Sequence, residues 1–211
     1  MRPVDFWYEF ASTYSYVAAA RIEAAAAAAG VPIAWRPFLL GPLFKRQGWD
    51  DSPFNLFPAR GRHMWRDIER LCAAYGQPFR RPGRFPRNSL LAARVACLGD
   101  GEPWLPEFSR AVFRANFADD RDIAEPEVIR GILAARGLDA TDLLRRAQDA
   151  GTKERLREQT DQAWALGIFG APTFVVDGEI FWGNDRMEAA FGWRLHGPPP
   201  GLSGSGAGGA A

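Results

Sequence analysis

The segment that decides the fold lies near the amino terminus and reads Val4-Asp5-Phe6-Trp7-Tyr8-Glu9-Phe10-Ala11-Ser12-Thr13-Tyr14-Ser15-Tyr16. Apolar side chains at every second position of residues 4–9 predict a strand with at least one buried face. The alanine-rich run that follows predicts a helix over residues 13–29, which Gly30 is well suited to end. Ser12 therefore sits in a tight turn at a helix N-terminus, where main-chain N–H groups are free and the partial charge is positive.

The next segments extend this unit and then interrupt it. Residues 31–38 predict a second strand, and the succession strand, helix, strand predicts parallel pairing with a right-handed crossover. Glycines and prolines break the pattern from residue 39 to residue 58, which predicts a loop. Because this loop carries several aromatic residues, we expect it to pack across a cleft.

The middle of the chain predicts helices only, over residues 62–75, 88–98, 105–117, 125–136, 140–150 and 152–166. Strands at residues 173–176 and 179–182 then flank Asp177-Gly178, a strong signal for a two-residue hairpin. A last helix is predicted over residues 186–194. The predicted fold class is α/β: a βαβ half and a ββα half interrupted by an all-helical insertion.

Domain boundaries follow from this order. Residues 1–60 and 165–196 are expected to form one discontinuous domain, and residues 61–164 a helical lobe mounted on it. Residues 197–211 are rich in proline, glycine, serine and alanine, and we expect them to be a disordered tail.

Composition narrows the function classes. The 26 basic and 25 acidic residues give a net charge of +1, which argues against a nucleic-acid binder that relies on a broad positive field. The alanine-rich helix is too short, and too interrupted by Arg21 and Glu23, to span a membrane. No signal-peptide pattern opens the chain, so the expected location is cytoplasmic.

Cysteine and histidine are scarce. Cys72 and Cys97 form no Cys-x-x-Cys pair and are expected to be buried as small apolar residues, although a disulfide between them stays open. His63 and His196 are too few and too far apart in sequence to predict a metal site.

Several short segments, in this order, carry a resemblance to a known family: Tyr8-Glu9-Phe10-Ala11-Ser12-Thr13-Tyr14-Ser15-Tyr16; Lys45 with Phe54-Asn55-Leu56; Phe85-Pro86-Arg87-Asn88; Asp122-Ile123; Gly167-Ile168-Phe169-Gly170-Ala171-Pro172-Thr173-Phe174; and Trp182-Gly183-Asn184-Asp185-Arg186. The chain resembles the disulfide-oxidoreductase branch of the thioredoxin superfamily. In finer detail it is similar to kappa-class glutathione transferases and, more closely, to 2-hydroxychromene-2-carboxylate isomerases. The resemblance implies a thioredoxin-like fold and a homodimer.

The resemblance makes Ser12 the catalytic residue and part of a glutathione site. Its hydroxyl and the helix N-terminus would stabilise the thiolate of bound glutathione. Dithiol redox chemistry is excluded there, because no cysteine lies at the helix start. On pattern alone Ser12 reads as a plain helix cap, and Ser15 is a competing hydroxyl. The chain departs from the family at Thr13, where proline is usual, and at Asn184, where serine is common.

The rest of the implied glutathione site comes from the other end of the chain. A cis bond before Pro172 would turn the main chain of Ala171 outward to pair with glutathione as an extended peptide. Asn184 and Asp185 would bind the γ-glutamyl end. The alternatives are an ordinary strand-initiating proline and simple helix capping.

Two residues of the aromatic loop, Lys45 and Asn55, are expected to bind the glycyl carboxylate of glutathione or the carboxylate of the substrate. Arg60 and Arg62 are weaker candidates for the same task. Without the resemblance, Lys45 reads as a solvated lysine and Asn55 as a turn residue.

The implied activity is a glutathione-dependent isomerase of aromatic catabolism. It interconverts 2-hydroxychromene-2-carboxylate and trans-o-hydroxybenzylidenepyruvate by transient thiolate addition, bond rotation and elimination, so that glutathione acts as a cofactor. One alternative is a kappa-like glutathione transferase or peroxidase. A further alternative is a non-redox relative of disulfide oxidoreductases that binds glutathione or peptides without catalysis.

Overall fold

The computed structural model describes residues 1–202 of the 211-residue chain. Its sheet has four strands in the order β2-β1-β3-β4. The strands are β1 (Val4–Tyr8), β2 (Ile33–Pro37), β3 (Thr173–Val176) and β4 (Glu179–Trp182). Strand β1 runs parallel to β2 and antiparallel to β3, and β3 forms a hairpin with β4. The predicted parallel unit and the predicted hairpin are therefore both confirmed.

Strand β1 is buried on both faces. On one face the ring of Phe6 contacts Trp35 at 5.0 Å and Phe174 at 5.4 Å between centroids. On the other face Trp7, only 1% exposed, packs with a smaller cluster that includes Phe38 and Ile168. The segment that follows β1 is therefore held in place by two layers of side chains.

Helix α1 (Thr13–Ala29) has the bounds that the sequence predicts. Gly30 ends it in the left-handed conformation, at a φ of 67°, and donates its N–H to the carbonyls of Ala26 and Ala27. Small residues such as Ala18 and Ala19 are buried on this helix. Its N-terminus is fixed next to the end of β1.

The predicted loop over residues 39–58 is wrong in its secondary structure. Two short helices lie there, α2 (Leu40–Arg46) and α3 (Pro53–Leu56), and α4 (Pro58–Ala74) begins earlier than expected. The prolines that read as breakers stand in first helical turns, where the main-chain N–H has no partner inside the helix in any case.

The remaining helices are α5 (Leu90–Leu98), α6 (Leu105–Phe117), α7 (Pro126–Ala134), α8 (Ala140–Arg146), α9 (Ala150–Ala165), the 3-10 helix Asn184–Arg186 and α10 (Met187–His196). Gly151, which the sequence suggests as a separator of two helices, lies inside α9.

One buried cluster crosses the boundary between the predicted domain and the predicted lobe. Tyr8 of β1 packs against Phe113 of α6 and shares a hydrogen bond of 2.8 Å with the hydroxyl of Ser109. The helices between β2 and β3 thus close the same core as the sheet. Of the predicted tail, residues 203–211 lie outside the described residues.

None of the helices in residues 1–202 combines the length and the apolar composition that crossing a bilayer requires.

Candidate active site at the N-terminus of helix α1

A cavity of about 1390 Å³ opens at the end of the sheet where β1 leads into α1. Its walls come from the turn after β1, from residues 39–60, from residues 85–90 and from the two ends of the hairpin β3–β4. It brings together most of the residues that the sequence singles out: Ser12, Lys45, Arg60, Ala171, Pro172, Asn184 and Asp185. Asn55 and Arg62 are not among the lining residues.

Ser12 joins the two distant parts of the sequence. Its Oγ accepts a hydrogen bond from the N–H of Ser15 at 3.1 Å and donates one to the carbonyl oxygen of Ala171 at 2.9 Å. The interpretation of Ser12 as a helix cap is thus confirmed. The single hydroxyl proton of Ser12 is therefore used in the hydrogen bond to Ala171, at the edge of the cavity.

The other two hydroxyl residues of this turn differ from Ser12. Ser15 is fully buried and its Oγ accepts from the N–H of Glu9 at 3.5 Å. Thr13 is 1% exposed, lines the cavity, and its Oγ1 has no hydrogen-bond partner among residues 1–202.

Glu9 is a site residue to which the sequence reasoning gave no role. It is 5% exposed and lines the cavity directly below the turn. Its carboxylate accepts from the N–H of Ala11 at 2.8 Å and from the hydroxyl of Ser89. Burial outweighs these hydrogen bonds and raises the pKa of Glu9 to about 7. The sequence held one signal for this role: Glu9 is an acidic residue between a predicted buried strand and the turn that follows it.

The peptide bond between Ala171 and Pro172 is cis, as predicted. The carbonyl of Ala171 accepts from Ser12, and the carbonyl of Pro172 accepts from the N–H of Gly183 at 3.0 Å. A second cis bond, between Phe85 and Pro86 in the opposite wall, was not predicted.

Gly183 leads from β4 into the 3-10 helix with a φ of 114°. Side chains of L residues rarely adopt this φ, so the backbone conformation favours glycine there. The side chain of Asp185 is exposed, whereas Asn184 is buried and its Oδ1 accepts from Arg21 at 3.3 Å. Of the predicted pair, Asp185 is the residue that offers a solvent-facing carboxylate to the cavity.

The predicted carboxylate-binding residues lie in the wall that residues 39–60 form. Lys45, in the last turn of α2, is exposed, lines the cavity and has no ion pair in the described part of the chain. Arg60 lies over the ring of Phe57, 4.6 Å from its centroid.

Asn55, in contrast, uses its amide within the protein. Its Nδ2 donates to Oδ2 of Asp51 at 3.0 Å and to the carbonyl of Phe85 at 3.2 Å. The structure thus places Asn55 as an exposed link between α3 and the segment before α5, outside the cavity lining.

Aromatic side chains make up much of the cavity wall: Phe44, Trp49, Phe54, Phe85, Phe169 and Trp182. The first three come from the segment for which the sequence predicts packing across a cleft. Phe169 and Trp182, whose rings lie 4.8 Å apart, come from the hairpin side and were not predicted.

Arg87 and Asp67 are two further wall residues without a predicted role. Arg87 is buried and donates to Asp120 and to the carbonyl of Arg121 at 2.9 Å, which fixes the segment before α5. Asp67 of α4 accepts from the hydroxyl of Tyr14 at 3.0 Å.

The two cysteines lie outside the cavity lining. Cys72 and Cys97 are buried and free, so the disulfide that the sequence left open is not formed. Burial raises the pKa of Cys72 to about 11. Within residues 1–202, no group of three or more histidine, cysteine or acidic residues is placed to hold a metal ion.

Comparison with known proteins agrees with this architecture. A family model described as a DSBA-like thioredoxin domain matches residues 3–190. A 2-hydroxychromene-2-carboxylate isomerase of Sphingobium xenophagum is 30% identical over 189 residues, which cover 89% of this chain and 95% of that protein. Glutathione S-transferase kappa 1 of Homo sapiens is 28% identical over 216 residues, with 94% and 95% coverage.

Among solved structures, that of a 2-hydroxychromene-2-carboxylate isomerase matches with a TM-score of 0.82 at 25% identity, covering 92% of this chain and 96% of that one. The chain therefore belongs to the DSBA-like thioredoxin family, in the part that contains 2-hydroxychromene-2-carboxylate isomerases and kappa-class glutathione transferases. Its thioredoxin-like fold and the family resemblance expected from the sequence are confirmed.

Proposed function

We propose that the protein binds glutathione in this cavity and catalyses a glutathione-dependent isomerisation of the 2-hydroxychromene-2-carboxylate type. The observation that carries the proposal is the contact between Ser12 and Ala171 at the N-terminus of α1. A hydroxyl group, a helix N-terminus and the main chain of Ala171 thereby lie together in the wall of a large cavity that aromatic residues line.

Bound glutathione would supply a thiolate nucleophile for the conjugated double bond of the substrate and would be released unchanged. Ser12 supports this chemistry by donating a hydrogen bond from its hydroxyl to the sulfur, which stabilises the thiolate. The positive end of α1 favours negative charge at the same place. Together these groups lower the pKa of a bound thiol from its ordinary value of about 8.5 towards neutrality.

The hydroxyl of Ser12 has only one proton, and without ligand it donates this proton in the hydrogen bond to the carbonyl of Ala171. An extended peptide that pairs with Ala171 would bring its own N–H to that carbonyl. Ser12 would then be free to turn its proton towards the sulfur. Binding of the peptide main chain and activation of the thiol are thereby linked through one hydrogen bond.

The polar ends of the two ligands have matching groups. Asp185 offers a carboxylate for the ammonium of the γ-glutamyl group, and the helix start beside it can take the α-carboxylate. Lys45 is the cation for the glycyl carboxylate or for the keto-acid end of the substrate. The aromatic side chains that line the cavity offer flat apolar surface to the ring of the substrate.

The direct test is to add 2-hydroxychromene-2-carboxylate to the protein with and without glutathione and to follow the isomerisation by its absorbance change. We expect turnover only with glutathione. Turnover at the same rate without it would contradict the proposed role of the cavity.

A kappa-like transferase is the second candidate, because the human kappa-class enzyme is also similar over nearly the whole chain. Conjugation of glutathione to chlorodinitrobenzene, with no isomerisation, would favour it. Absence of any glutathione binding in calorimetry would favour a non-catalytic relative instead.

The homodimer implied by the resemblance is also part of the proposal. Light scattering coupled to size-exclusion chromatography measures it directly, and a mass of one chain would contradict it.

A further inference from the structure

Thr13 has two hydrogen-bond donors that nothing in the described part of the chain uses. It is 1% exposed and lines the cavity beside Ser12. Its hydroxyl has no partner, and its main-chain N–H, at the first position of α1, also makes no hydrogen bond within residues 1–202. A buried hydroxyl without a partner destabilises a fold, and native structures contain few of them.

The hydrogen-bond acceptors of the same turn already receive hydrogen bonds from other groups. The carbonyl of Glu9 accepts from the N–H of Ser12 at 3.0 Å, and the carbonyl of Ser12 accepts from Tyr16 at 3.1 Å. The carboxylate of Glu9 is taken by Ala11 and Ser89. None of these acceptors receives a hydrogen bond from Thr13, and the cavity that Thr13 lines is open to a ligand that could supply one.

The residue type adds to this argument. Proline is compatible with this first helical position but would offer neither an N–H nor a hydroxyl. Threonine gives this chain two additional donors at a helix end that already favours negative charge. An anionic atom is the partner that would satisfy both.

We propose that Thr13 is a second anion-binding residue of the site, which donates its hydroxyl and its main-chain N–H to the sulfur of the bound thiolate next to Ser12. This inference rests on the proposed function and names a further residue of the same site. The thiolate then has donors from two adjacent residues, and ligand binding gives Thr13 the partners that it lacks.

The test compares Thr13→Val, which replaces the hydroxyl by a methyl group of similar shape, with Thr13→Ser, which keeps the hydroxyl. The ultraviolet absorbance of the thiolate is titrated with pH for glutathione bound to each protein. We expect Thr13→Val to shift the midpoint up by about one pH unit, a tenfold loss of thiolate at a given pH below it. Thr13→Ser should keep the wild-type midpoint.

Two further measurements separate a role in binding the thiolate from a role in the fold. S-methylglutathione cannot form a thiolate, so Thr13→Val should bind it as tightly as the wild type while it binds glutathione more weakly. Thr13→Val should also unfold at a higher temperature without ligand, because it removes an unpaired buried hydroxyl. Thr13→Pro, which removes both donors, should shift the titration further than Thr13→Val.

The matched control is Thr152→Val, at a buried threonine of α9 that does not line the cavity. It should leave the thiolate titration unchanged.

If the wild type binds glutathione and ionises it but Thr13→Val titrates identically, the inference about Thr13 is overturned and the proposed function stands. If the wild type does not bind glutathione, the proposed function fails and this inference fails with it. Should Thr13→Val not fold, Thr13→Ala removes the same hydroxyl without the branched carbon.

Discussion

Two walls of the cavity are built in different ways. The turn wall, formed by residues 9–13 and residues 170–172, is mostly buried and held by hydrogen bonds such as that from Ser12 to Ala171. The aromatic wall, formed by residues 39–60, is held by ring contacts such as Phe44 with Trp49, and many of its residues are exposed. We infer that the turn wall fixes the chemistry, whereas the aromatic wall adapts to the substrate.

The strongest test of this difference compares two serine caps that both line the cavity, one in each wall. Ser12 caps α1, and Ser52 caps α3 by accepting from the N–H of Phe54 at 3.3 Å. Ser12→Ala should lower the isomerisation rate by about 10²–10³-fold, because a donor to developing negative charge is lost. Ser52→Ala should lower it far less.

Both substitutions should cost about 1 kcal/mol of unfolding free energy, since each removes a helix cap. Steady-state rates and urea unfolding of the two variants measure both effects. Near-full activity of Ser12→Ala would end the assignment of Ser12 as the thiolate-binding residue.

Glu9 predicts a pH dependence of stability that belongs to the turn wall. Its pKa is raised by burial from 4.5 to about 7, so the folded protein favours the protonated carboxyl. The stability that this proton gives is fully present below about 4.5, and it is lost as the pH rises from there through about 7. Glu9→Gln keeps a neutral side chain at every pH. We expect its unfolding free energy, relative to the wild type, to rise by about 3 kcal/mol between acidic and mildly alkaline pH.

Urea unfolding of both proteins over that pH range is the measurement. Glu102→Gln, at an exposed position, is the control and should show no comparable change. A constant difference between Glu9→Gln and the wild type would mean that Glu9 ionises at its ordinary pKa.

Lys45 tests the aromatic wall. Lys45→Ala should raise the KM of whichever ligand binds its carboxylate to this residue, and only by about tenfold, because the site is exposed and screened. A change confined to the aromatic substrate assigns Lys45 to the keto acid, and one confined to glutathione assigns it to the glycyl end. The chain has one other lysine, Lys153 of α9, which is exposed outside the cavity. Lys153→Ala should leave both constants unchanged, and an unchanged Lys45→Ala would remove this residue from the site.

The smallest expected effect is that of Asn55. If its amide keeps its bonds to Asp51 and Phe85, Asn55→Ala costs about 1 kcal/mol of stability and leaves glutathione affinity nearly unchanged. Calorimetry decides between this role and direct binding: a large loss of glutathione affinity at normal stability would restore Asn55 as a ligand-binding residue.

Local patterns predicted much of the fold. Helix α1 and the hairpin strands have their predicted bounds, because alternation, a capping glycine and Asp177-Gly178 are signals within a few residues. The segment from residue 39 to residue 58 was misread because proline has two opposite uses, as a helix breaker and as a first helical residue. Only packing against the cavity rim separates the two.

The candidate site divides in the same way. The sequence, with the family resemblance, predicted Ser12 and the cis bond before Pro172, since both depend on short motifs. It gave no role to Glu9, whose pKa is raised by burial even though the hydrogen bond from Ser89, a residue 80 positions away, lowers it. Desolvation of a carboxyl is a property of the packed molecule and leaves no local signal.

By itself, then, the sequence determined that a strand lies within residues 4–9, that a helix begins at about Thr13, and that Ser12 stands at that helix end with no cysteine beside it. Tertiary structure alone decided that the carbonyl of Ala171, 159 residues further on, accepts the hydrogen bond of Ser12, and that the hydroxyl of Thr13 has no partner among residues 1–202. The reason is physical. Secondary structure follows from spacing along the chain, whereas which donors are satisfied depends on which distant carbonyls and carboxylates the folded chain brings to them.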